Sequence, residues 1–75
     1  MQKSIHTKRY QKLCKLLREG RKKAGLTQTE VAKRLGRPQS FVAKYELGER
    51  RLDVIEFMDI AGAIGMNPAK IIKKI

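Results

Sequence analysis

The sequence predicts an all-α domain of five short helices joined by short connections. Three observations carry that expectation. Apolar residues recur at helical spacing in five separate runs, and no run alternates convincingly as a strand does. Three of the runs open on residues that cap helices: Thr27 with Glu30, Asp53 with Glu56, and Asn67 before Pro68. The second and third runs are hinged at Gly36, which tolerates a turn that other residues resist.

The elements follow in order. Residues 1–7 lack periodicity and read as a flexible basic arm carrying Lys3; His6 has no companion His or Cys to bind a metal with. Residues 8–75 form the single domain. From Lys8 a first helix places Tyr10, Leu13, Leu17 and Ala24 on one stripe, widened by Leu16, with Lys and Arg opposite, and it ends before Gly25. Gly20 lies inside this helix, at a cost of about 1 kcal/mol against Ala, which either a close helix contact or simple tolerance explains. Thr27 caps a second helix that runs to Leu35, and Leu26 with Val31 suits a hydrophobic staple. Gly36-Arg37-Pro38 makes the turn, Pro38 having a φ suited to the first turn of the next helix. The third helix turns Val42 and Tyr45 inward and stops at Gly48. A fourth, capped by Asp53, carries Val54, Phe57, Ile60, Ala61 and Ile64 as its apolar stripe to Gly65. A fifth carries Ile71, Ile72 and Ile75.

Composition bounds the function. Seventy-five residues with a 41% apolar share fill one modest core. A net stability on the order of 5 kcal/mol is the expectation for such a core. The formal charge of +11 is uneven. Residues 1–51 hold fifteen basic and four acidic side chains, whereas residues 52–75 hold three of each. A polyanion facing the first two thirds of the chain is therefore the expected partner. Cys14, the single cysteine, allows no internal disulfide or zinc cluster and reads as a small buried residue. The start, MQKSIHTKRYQK, has no apolar run of the secretory kind, and no segment approaches the length of about 18 apolar residues that spans a membrane, so a cytoplasmic location is expected. Catalysis is poorly supported. Glu49, Asp53, Glu56 and Asp59 fit a cap and a solvated face, with no His, Ser or Cys in a recognisable motif beside them. No enzyme, metal or cofactor is expected.

The stretch QTEVAKRLGRPQSFVAKYEL is the most informative. Counted from Gln28, position five is the small Ala32 where two helices can cross. Position nine is Gly36 in the turn, and position fifteen is Val42, an apolar anchor for the second helix. Val31, Leu35 and Tyr45 complete the apolar set. On LREGRKKAGLTQTEVAKRLG, PQSFVAKYELGER and the IAGAIG end of the fourth helix, the chain resembles the phage repressor and Cro type of helix-turn-helix regulators, the Xre family, from about Leu17 to Ile64. The resemblance implies a compact lambda-repressor-like DNA-binding domain with the helix-turn-helix at its second and third helices.

That resemblance assigns roles to positions. Gln28, opening the second helix behind Thr27, would contact a phosphate at a helix N-terminus, where free N–H groups favour anions. Gln39 and Ser40 open the recognition helix and would reach base edges; Gln pairs bidentately with adenine. Lys44, one turn on, would meet guanine or phosphate, and Phe41 either a thymine methyl or the packing beside the turn. Arg37, Arg50 and Arg51 suit the DNA backbone, although Glu49 departs from the pattern, a Lys being frequent there. Arg21 and Glu46 occupy the places of a structural salt bridge that fixes the recognition helix. The implied partner is double-stranded DNA, bound by a homodimer on a pseudo-palindrome, with Met66, Ile72 and Ile75 as the expected interface. Two readings compete with a repressor: an antitoxin that binds a protein toxin and represses its own operon, and a non-specific architectural protein. A restriction-modification controller is a further form of regulator.

Overall fold

The computed structural model describes residues 7–75, so the arm expected over residues 1–7, with Lys3 and His6, lies outside the described residues except for Thr7. Among the described residues five helices form: α1 (Lys8–Lys23), α2 (Gln28–Leu35), α3 (Gln39–Glu46), α4 (Val54–Ala63) and α5 (Pro68–Lys73). Their starts are fixed locally. Thr7 Oγ1 accepts from the Tyr10 amide at α1. At α2 the Thr27 hydroxyl accepts from the Glu30 amide while the Glu30 carboxylate accepts from Thr27 N, closing a capping box. Asp53 and Glu56 do the same at α4, and Asn67 caps α5 with Pro68 in the first turn. Each pairing satisfies amides that a helix start otherwise leaves without partners.

Pro38 stands one residue earlier than expected. It is the N-cap of α3, extended at φ −65° and ψ 152°, and offers no side-chain cap. Gly36 ends α2 at φ 67° and ψ 33°, a left-handed geometry that a Cβ would strain. It turns the chain within three residues from α2 into α3.

The core joins all five helices: Leu17 from α1, Val31 and Ala32 from α2, Phe41, Val42 and Tyr45 from α3, Phe57, Ile60 and Ala61 from α4 with Ile64 at its end, and Ile71 from α5. Leu26 packs against the same cluster, as the staple with Val31 requires. Cys14 is buried, as expected. Two expected core positions are not core. Ala24 is the exposed C-cap of α1, because the helix ends at Lys23 and its last buried residue is Leu17, two turns earlier. Val54 is 64% exposed, since the first residue of α4 precedes the turn that meets the core. Ile72 is 53% exposed beside the buried Ile71. Gly20 proves to be a close approach: a Cβ there would fall on Met66 Sδ and stand 3.1 Å from Ile64 Cδ1. Met66 is accordingly half-buried and packed against the core, which reduces what it can offer an interface.

The candidate nucleic-acid interface

α2 and α3 pack on each other across the Gly36 turn, and a chain of side-chain hydrogen bonds ties their polar residues to α1. Arg21 grips Glu46 with two donors, Nε to Oε2 at 2.7 Å and an Nη to Oε1 at 3.0 Å. Its remaining Nη donates to the Leu26 carbonyl at 2.9 Å, fixing the α1–α2 loop. The Glu46 side chain is only 3% exposed. A carboxylate so buried needs its charge and lone pairs satisfied, and Arg21 meets the charge. The same hydrogen bonds hold the Arg21 guanidinium above its already high pKa.

The chain continues outward. Gln28 Nε2 donates to Glu46 Oε1 at 2.9 Å, and Gln39 Nε2 donates to Gln28 Oε1 at 2.6 Å. The buried ion pair thereby orients Gln28, and Gln28 orients Gln39 on the surface. Ser40 and Lys44, four residues apart on α3, are exposed on one face of that helix. Gln28, Gln39, Ser40 and Lys44 are thus arranged from the helix start across the outer side of α3. The Thr27 hydroxyl accepts from Glu30 N, which leaves its hydrogen as the one donor it can present.

Of the two directions open to Phe41, the structure takes the inward one. Its ring is 7% exposed and meets Tyr45 edge-on at 5.5 Å between centroids. A ring in that place belongs to the core and presents no face to a thymine methyl. Instead it carries two cations, the guanidiniums of Arg37 and Arg50 lying 4.5 and 4.8 Å from its centroid. Both also bond Glu56 Oε2, at 3.0 and 2.7 Å. These two arginines are thus held on the rim by a shared carboxylate and a shared ring, while Arg51 is exposed. Arg34 donates to the Ala63 carbonyl at 2.8 Å, bracing α2 against the end of α4.

Two positioning groups escaped the sequence reading. Tyr10, read only as part of an apolar stripe, donates its hydroxyl hydrogen to the Arg50 carbonyl and accepts from Leu52 N, both at 2.8 Å. It anchors the loop that carries Arg50 and Arg51, and its partial burial raises its pKa. Glu56, read as a cap, also gathers Arg37 and Arg50. No local pattern marks either role, because each partner lies on a different element.

Among the described residues no cluster of His, Cys, Asp or Glu could hold a metal, and no helix is long and apolar enough to cross a membrane. The helix-turn-helix family matches over residues 17–71. Two solved structures are similar along most of their length. An Xre-family-like protein from Pseudomonas syringae pv. tomato is 59% identical, with a TM-score of 0.88 over 95% of this chain and 87% of that one. The restriction-modification controller protein C.AhdI from Aeromonas hydrophila is 30% identical, with a TM-score of 0.74 over 80% of this chain and 91% of that one. No curated protein is similar enough to match. The buried ion pair, the turn at Gly36 and these likenesses agree: the chain belongs to the Xre family of helix-turn-helix DNA-binding transcriptional regulators and is not an enzyme.

Proposed function

We propose that this regulator binds a pseudo-palindromic operator as a homodimer and acts as a repressor, α3 entering the major groove while α2 lies across the backbone. The observation that carries the reading is the hydrogen-bond chain from Arg21 through Glu46 and Gln28 to Gln39. It holds a bidentate amide at the start of α3 before DNA arrives, so less ordering is left to offset on binding. Gln39, Ser40 and Lys44 read base edges; Gln28, Thr27, Arg37, Arg50 and Arg51 hold phosphates. Three reading positions cover too few base pairs to select a genomic site, and a second copy doubles them.

The interface between copies lies in the C-terminal third, where charges balance and two copies of a +11 chain repel least. Ile72 and Ile75 from the expected set belong to it, whereas Met66 serves mainly the core beneath Gly20. Action in the cytoplasm follows from the DNA partner. The likeness to C.AhdI supports the controller form of the same activity. The antitoxin reading draws on the exposed Val54, Ile55 and Met58 of α4, an apolar face that a protein partner could cover.

Selection of bound duplexes from a random pool at about 150 mM salt tests the reading, because non-specific attraction is reduced there. A two-fold symmetric consensus supports a dimeric operator-binding protein, and no consensus favours the architectural alternative. Sedimentation that gives a monomer both free and on the selected duplex would remove the homodimer.

A further inference from the structure

We propose that the outward face of α1 is a second surface for duplex DNA, holding a segment other than the one read by α3; this rests on the DNA-binding reading above. The observation behind it is where the charge lies. α1 carries eight Lys and Arg and a single acid, Glu19, whereas residues 27–51, which hold α2, α3 and the following loop, carry six against three. The excess is larger on the helix behind the reading pair than on the pair itself. Around the pair, Arg37 and Arg50 share Glu56, and Arg34 is bonded to a carbonyl. Lys33, Lys44 and Arg51 are exposed there and, among the described residues, outside any ion pair, but α1 carries more such cations. Lys8, Lys12, Lys15, Arg18 and Lys22 are exposed, and among the described residues none of them forms an ion pair within the chain. Glu19 stands on the same face, between Lys15 and Lys22, and offsets one of these charges; the remaining excess is self-repulsive until an anion meets it.

Helix geometry lines the row up. At 3.6 residues per turn, Lys8, Lys12, Lys15 and Lys22 fall on one face, opposite Leu17 and Arg21. α1 meets α3 through that inner face, where Arg21 binds Glu46, so the lysines point away from the recognition helix. From Lys8 to Lys22 the row is about 21 Å long at 1.5 Å per residue. Over that distance one strand of a duplex presents about six phosphates.

The chemistry of the face selects the partner. It offers no exposed aromatic ring, since Tyr10 is turned in to Arg50 and Leu52, so a single strand finds no stacking platform. The apolar side of α1 is buried in the core, so a bilayer finds nothing to receive. Lysines with nothing to stack or insert suit duplex phosphates, engaged without sequence preference.

A bridging assay with the full chain tests this. The selected duplex is immobilised, saturated with protein, washed and offered a labelled duplex of random sequence at about 100 mM salt, where phosphate contacts persist. Wild type is expected to retain the label. The variant Lys8→Gln/Lys12→Gln/Lys15→Gln, altered only at exposed positions, is expected to retain about tenfold less while binding the immobilised duplex within about threefold of wild type. The proposal is overturned by any of four results: no retention by wild type, equal retention by the variant, a parallel loss of affinity for the immobilised duplex, or single-stranded RNA retained as well as duplex. The sequence-reading proposal is scored separately. If selection yields no consensus, a random duplex is immobilised, and lysine-dependent bridging would still stand.

Discussion

Replacing Glu46 with Ala removes the centre of the chain that runs from α1 to the start of α3. The wild-type side chain is 3% exposed and accepts from Arg21 twice and from Gln28 once. The substitution strands the Arg21 guanidinium, whose side chain is 12% exposed, and leaves a cavity beside it. Breaking such a pair by removing one partner costs about 3 kcal/mol. A 75-residue domain at 0.05–0.15 kcal/mol per residue holds about 4–11 kcal/mol in all, so the loss is a large share of it. At about 4–8 °C per kcal/mol the melting temperature should fall by about 12–24 °C. Gln28 and Gln39 also lose their anchor. Ordering two freed side chains at about 0.5–1.5 kcal/mol each lowers affinity for the operator about tenfold, measured well below the melting transition. Glu46→Gln serves as the control: it keeps an acceptor for Gln28, and should lose stability but retain more affinity than Glu46→Ala. Circular dichroism melts and fluorescence anisotropy read the two effects. Melting unchanged by Glu46→Ala would refute the structural role. A low-melting variant whose folded form binds with wild-type affinity would refute the link from the ion pair to the reading face.

Other expectations concern single contacts. Gly20→Ala should destabilise by about 1 kcal/mol, as overpacking against Met66 and Ile64 exceeds the gain in helix propensity; in a Met66→Ala background the same change should become neutral or stabilising, and urea titration of the four proteins decides. Gly36→Val should cost more than 1 kcal/mol, on the order of 1–2, because φ is 67° although the space is open, and a loss below 0.5 on the same titration would contradict the strain. Burial raises the pKa of Tyr10 and Tyr45 above the ordinary value of 10.0. Their neutral forms thus favour the folded state, a contribution fully present below the unfolded pKa and lost as pH rises through the folded one. Melting temperature should fall steeply above pH 10, and Tyr45→Phe should flatten that fall; an unchanged slope would contradict the burial argument.

How far the sequence revealed the molecule depended on whether a feature was local. The caps at Thr27, Asp53 and Asn67 each involve residues within one helical turn, and all three form as spaced. Gly36 was legible because few other residues accept its φ. The period of α4 located Phe57, Ile60 and Ala61 correctly but could not show that Val54 precedes the contact with the core. Long-range pairs were out of reach of spacing. Gln39 meets Gln28 across a turn, and Tyr10 meets Arg50 and Leu52 some forty residues on. Arg21 with Glu46 was reached through the family resemblance alone. Phe41 stood undecided because its neighbours on α3 face both ways; two arginines and Tyr45 settle its direction.

The central claim is that the outer face of α3 reads base edges. Its most direct measurement compares wild type and Gln39→Ala on the selected duplex and on duplexes altered at one base pair at a time. The expected result is a loss of about 1–3 kcal/mol of discrimination at one position of each half-site, with the other positions unchanged. A uniform loss of affinity across all duplexes, with discrimination intact, would contradict it.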